Sequence, residues 1–164
     1  MARKIYWAAN GATPTTAALV KVATGTSIKT LLQIATPSTT NITILEWGIS
    51  FDGSAAATPI EVELFGTTVG ASVGTSLTPT TFGDPNAVAS LCVGGTAATC
   101  FSPGTEGSVA NLRYFDLQLV APTNQYIKQY PLGREPEIAA SQFLRIRVTA
   151  GTTVNAYCYV IWEE

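Results

Sequence analysis

Apolar and polar residues alternate with a period of two in stretch after stretch of this chain, the pattern of strands with one buried face. From Asn41 to Phe51 the odd positions Thr43, Leu45, Trp47, Ile49 and Phe51 form a mostly apolar face. The even positions open with Ile42 and Ile44, then turn polar at Glu46, Gly48 and Ser50. Asp52-Gly53 follows as a turn signal. Ile60, Val62 and Leu64 alternate with Glu61 and Glu63, and Phe115, Leu117 and Leu119 alternate with Tyr114, Asp116 and Gln118. Near the end Leu144, Ile146 and Val148 alternate with Arg145, Arg147 and Thr149. Ala150-Gly151 then leads into a last alternating run from Val154 to Trp162, so the two segments read as a hairpin. Weaker strands are predicted over 18–23, 27–35, 75–79, 90–93 and 126–130. Helical spacing is scarce. Residues 135–142, with Pro136 suited to a first helical position, are predicted to make a turn or two.

About ten short strands separated by turns predict an all-β fold, a sandwich, jelly roll or small barrel. A jelly-roll-like β-sandwich is expected, as a single domain over 1–164. Residues 80–109 are mostly Gly, Ala, Ser, Thr and Pro and read as a long loop, of the kind that is usually functional or mobile. The Thr- and Ala-rich opening, residues 1–18, reads as an extended N-terminal arm that packs on a neighbouring subunit or is disordered.

Composition narrows the function. The chain has no histidine, its one methionine is Met1, and only 12% of its 164 residues are charged. Acid–base and metal chemistry lean most often on His. There is no Ser-x-x-Lys and no phosphate-binding glycine loop ending in Gly-Lys-Ser/Thr. No catalytic residue, metal or cofactor is therefore expected, and the chain is read as not an enzyme. The net charge of −2 and the lone Arg3-Lys4 cluster offer no basic face for nucleic acid. No apolar run approaches the roughly 20 residues of a membrane helix, and the first residues lack the apolar core of a signal peptide, so no membrane is expected as a partner.

Four groups of residues remain as candidates. Cys158 alternates with Val154, Ala156, Val160 and Trp162 and reads as core, whereas Cys92 and Cys100 flank a short glycine-containing loop and are a candidate disulfide. Glu61 and Glu63 share one strand face and are read as solvated, with a paired-carboxylate glycosidase as a minor alternative. Glu46 precedes Trp47, and an acid beside an aromatic ring suits sugar binding; pairing with Arg145 or Arg147 is the simpler expectation. The stretch from Tyr126 to Glu137 combines two tyrosines, two prolines and alternating charge, which suits an interface loop. Tyr6, Trp7, Tyr126, Tyr130, Arg134, Arg145 and Arg147 are accordingly the candidate interface residues.

The segments Leu45-Glu-Trp-Gly-Ile-Ser-Phe-Asp-Gly-Ser54, Tyr130-Pro-Leu-Gly-Arg-Glu-Pro-Glu137 and Ala156-Tyr-Cys-Tyr-Val-Ile-Trp-Glu-Glu164 resemble small virion proteins of tailed bacteriophages. These are proteins of the head-decoration or minor-capsid type. The resemblance covers about a fifth of the chain and carries over no binding residues. It implies a compact β protein of the virion, assembled in the host cytoplasm, that coats the major capsid protein, commonly as a homotrimer. The alternative is a carbohydrate- or receptor-binding module of a phage tail or fibre, with Trp47, Tyr126 and Tyr130 as stacking residues.

Overall fold

The computed structural model describes residues 4–11, 14–92 and 100–164. Its strands, in chain order, are β1 (Ile5–Ala9), β2 (Val22–Ala23), β3 (Lys29–Ala35), β4 (Ile42–Phe51), β5 (Ile60–Thr67), β6 (Ser72–Ser76), β7 (Thr80–Thr81), β8 (Cys100–Thr105), β9 (Arg113–Val120), β10 (Gln125–Gln129), β11 (Glu137–Ile138), β12 (Phe143–Thr149) and β13 (Asn155–Glu163). They form two antiparallel sheets, a β-sandwich. The first has the order β10-β4-β13-β1-β7, with β11 beside β4 and β2 beside β13; the second has the order β6-β8-β3-β12-β5-β9. Among the described residues no helix is long and apolar enough to cross a membrane.

Among the described residues the chain crosses between sheets at eight of the twelve steps from one strand to the next. It passes from β1 to β3, β4 and β5 by changing sheet each time, and does so again from β9 through β10 and β12 to β13. Segments that neighbour in sequence therefore stack across the core instead of pairing. This overturns the hairpin expected from 144–148 and 154–162: β12 lies between β3 and β5, and β13 lies between β4 and β1. The physical reason is burial. Leu144, Ile146 and Val148 of β12, and Ala156, Cys158, Val160 and Trp162 of β13, are all buried in one core, together with Leu31, Ile34, Ile44, Trp47, Ile49 and Leu64. Stacked face to face, two amphipathic strands cover each other's apolar sides.

Two of the bulges decide which residues of β4 and β9 face inward. In β4, Glu46 pairs with Ile161 but Ile44 pairs with Trp162, so Leu45 is the extra residue. The inward face consequently switches from Ile42 and Ile44 to Trp47, Ile49 and Phe51, which accounts for the apolar residues on both faces of the sequence pattern. In β9, Leu64 pairs with Asp116 and Phe65 with Tyr114, leaving Phe115 as the extra residue.

Three further expectations change. Residues 5–9 are not an arm: they form β1, with Tyr6 and Ala8 in the core and main-chain pairing to β13 and β7 on its two sides. The connection over 80–109 is not simply a loop, because β7 pairs with β1 and β8 pairs with β3 and β6; residues 93–99 lie outside the described set. Residues 135–142 form no helix. Ile138 is drawn into the core and the short β11 pairs with β4, while Ile44 donates to the Pro136 carbonyl at 2.9 Å. Burial of Ile138 along the sheet edge outweighs the weak helical preference of the segment.

Candidate functional site

Tyr6, Ala8 and Trp47 point into the core, so Trp7 and Glu46 belong to the outer face of the first sheet. Register then fixes a row across four strands: Trp7 opposite Ile161, Ile161 opposite Glu46, and Glu46 opposite Gln129. Phe82, just past β7, lies beside Ile5, two residues along β1 from Trp7; the Phe82 amide donates to the Ile5 carbonyl at 2.8 Å. The result is an open cleft of about 600 Å³ lined by these residues with Ile5, Leu45, Tyr130 and Tyr159.

Gly48 shapes the cleft. A Cβ built there would stand 2.6 Å from Cε1 of Tyr159, so the phenol ring lies across the bare backbone of β4. In that position the Tyr159 hydroxyl donates to Glu46 Oε1, and Gln129 Nε2 donates to Glu46 Oε2 at 2.7 Å. Burial, and then the Glu46 carboxylate, push the Tyr159 phenol well above its ordinary range, so it stays protonated as a donor. Among the described residues no Lys or Arg lines the cleft.

A second surface lies on the opposite side of the sandwich. Beyond the Phe115 bulge, β9 presents an inverted pattern: Asp116 is 8% exposed, while Leu117 and Leu119 are 56% and 70% exposed. Asp116 is held inside by the Tyr126 hydroxyl at 2.9 Å, by Gln118 Nε2 at 2.8 Å and by Lys128 at 3.3 Å. Among the described residues β9 is also the terminal strand of its sheet, and no strand neighbours one edge of its main chain. The leucines flank Glu61 and Glu63 of β5.

The structure corrects several of the expected site residues. Tyr6 is core, with its hydroxyl donating to the Val88 carbonyl at 2.9 Å. Arg145 and Arg147 neither guard an edge nor offer a free surface, because β12 is an inner strand and both side chains are buried. Arg145 is bound by Glu106 and by Thr30 Oγ1 at 2.8 Å; Arg147 is bound by Glu63 and lies over the Phe65 ring at 4.6 Å. Their partners are thus Glu106 and Glu63, not Glu46, which lies on the other sheet. Glu61 and Glu63 do share the outer face, but Glu63 is committed to Arg147 and the pair is not brought near Glu46. Trp47 is fully buried, with Tyr126 packed on it at 5.4 Å, so neither forms an open stacking platform.

Trp7 and Tyr130 do meet in the cleft, and Arg134 is exposed on the turn after β10. Cys158 is core as expected, and burial pushes its thiol far above the ordinary range. Cys92 is buried; the Cys100 side chain, and with it the expected disulfide, lies outside the described residues. Phe82, Gln129 and Tyr159 were missed by sequence reasoning. Only the register of β1, β13, β4 and β10 places them together, although Glu46 in an otherwise apolar segment was a usable signal.

The chain matches no family model, no curated protein and no solved structure with significance.

Proposed function

We propose that this protein is a non-enzymatic structural component of a bacteriophage virion: a capsid decoration protein that binds the outer surface of the major capsid shell as a homotrimer. The observation that carries the reading is the β9 edge. An edge strand with large apolar residues turned to solvent is an aggregation hazard in a monomer, and natural proteins blunt or cover such edges. Here two leucines stand on the outer face, and the bulge that puts them there keeps a carboxylate inside instead. A surface of that kind suits burial against another subunit.

The strand order supports the reading at the level of fold. Eight strands that cross between two four-stranded sets, β10-β4-β13-β1 and β3-β12-β5-β9, are read as the interleaved Greek keys of a jelly roll. That architecture serves viral shells and lectins alike, so it raises the expectation without deciding it. The resemblance of the three segments to phage virion proteins favours the shell.

The test is assembly. Light scattering after size exclusion is expected to give a mass of three protomers, and the protein is expected to co-sediment with undecorated capsids of its phage. A protein that stays monomeric, remains in the supernatant and is absent from purified virions overturns the reading.

A further inference from the structure

The cleft on the first sheet is independent of the β9 edge and lies on the opposite outer face. Its chemistry selects a class of ligand. Among the described residues one carboxylate and no cationic side chain line it, which disfavours anions. Both Glu46 oxygens already accept from neutral donors, Tyr159 and Gln129, and each oxygen keeps further acceptor capacity. Gln129 retains its carbonyl oxygen as an acceptor and a second amide hydrogen as a donor. The polar end of the cleft therefore offers a carboxylate pre-oriented by two neutral groups, beside an amide that both gives and takes hydrogen bonds.

Trp7, Tyr159 and Phe82 supply flat apolar surface next to that polar end, with Phe82 60% exposed at the rim. Adjacent hydroxyls of a pyranose match the two carboxylate oxygens, and the C–H face of the ring matches an aromatic face. We propose that this cleft binds a neutral saccharide, with Glu46 and Gln129 taking ring hydroxyls and Trp7 packing against the ring face. An organic cation would also suit rings around a carboxylate. A cleft of about 600 Å³ with an amide donor exceeds what an ammonium group needs and falls within the range of sites that hold larger ligands.

Tryptophan fluorescence tests the site directly, because Trp47 and Trp162 are fully buried and Trp7 is the partly exposed indole. The probes are tetrasaccharides of glucose (α- and β-linked), galactose, mannose and N-acetylglucosamine, with tetramethylammonium as the cation. At least one tetrasaccharide is expected to give a saturable change in emission. Glu46→Gln, which keeps size and fold, is expected to weaken it about tenfold, the loss of a hydrogen bond to a charged group. Gln129→Ala, on an exposed strand position, is expected to weaken it several-fold. Calorimetry on Trp7→Ala is expected to show no binding; should that variant fail to fold, the other two still decide. The proposal is overturned by no saturable change with any tetrasaccharide, by tetramethylammonium binding in their place, or by unchanged saccharide affinity in both polar variants.

Discussion

Arg145 shows how much a single buried charge depends on its partners. The guanidinium is fully buried under the connection that leaves β5, with Thr30 Oγ1 at 2.8 and 3.0 Å, the Val69 carbonyl at 3.3 Å, the Phe65 ring and the Glu106 carboxylate around it. Burial pulls its pKa down and Glu106 opposes that pull. Arginine does not give up its proton in such a site, so losing Glu106 strands a charge. Glu106→Ala is expected to destabilise the protein by about 3 kcal/mol, read from urea denaturation. Adding Arg145→Met is expected to restore most of that loss, because an apolar side chain has no charge to satisfy. Tyr126 carries a prediction in pH. Burial, and then its hydrogen bond to Asp116, raise the phenol from 10.0 to about 12. A raised folded-state pKa means that the unfolded chain loses its proton first. This contribution is therefore intact below pH 10.0 and is lost as pH rises towards about 12. Melting temperatures followed across that window are expected to fall, and to fall less steeply in Tyr126→Phe.

At the scale of elements, the two bulges matter more than the strands they interrupt. Without the extra Phe115, β9 would keep Leu117 and Leu119 on the core side, as simple alternation predicts. With it, the leucines are outside and Asp116 is inside. Leu117→Lys combined with Leu119→Lys is expected to leave the fold intact, since neither side chain is in the core, while shifting the solution mass from that of the proposed trimer to that of a monomer. An unchanged mass would assign the oligomer to another face. The same elements mark what the sequence could reveal. Alternation located β4, β5, β9, β12 and β13 to within a few residues, because each buries a face whose period is visible. β1, β7, β8 and β11 escaped, being two to six residues long and set in Ala-, Thr-, Gly- or Pro-containing surroundings where alternation has little contrast. Pairing escaped too. The β12–β13 turn looks like a hairpin, and only the need to stack two apolar faces sends β13 to the other sheet. Of the cleft, Glu46, Trp7 and Tyr130 were legible in the sequence, but not that they share one site. Its members come from five separate segments, and a bulge at Leu45 decides that Glu46 faces the rest at all.

At the scale of the molecule, the long connection between β5 and β9 has to be held at both sheets, and the last residue does part of that work. Glu164 accepts from the Leu91 amide at 2.7 Å, from the Ser90 hydroxyl and from Trp162 Nε1 at 3.0 Å, while its own amide donates to the Lys4 carbonyl at 3.0 Å. Tyr6 adds the bond to the Val88 carbonyl from β1. The 88–92 segment is thereby strapped across the ends of β1 and β13, and Cys92 is seated in the core. Glu164→Ala removes the acceptor for a buried indole N–H and a buried serine at once. Each stranded buried donor costs on the order of 1–3 kcal/mol, so a loss of about 2 kcal/mol is expected, allowing for water reaching the partly exposed end. The distribution of that loss is the sharper test. Hydrogen exchange is expected to accelerate at 88–92 well before β4 and β12, whose protection derives from ladders on both sides. Equal acceleration in all three places would mean that the strap and the sandwich open as one unit. Unchanged exchange at 88–92 would mean that the burial of Cys92, not the Glu164 carboxylate, holds the connection down.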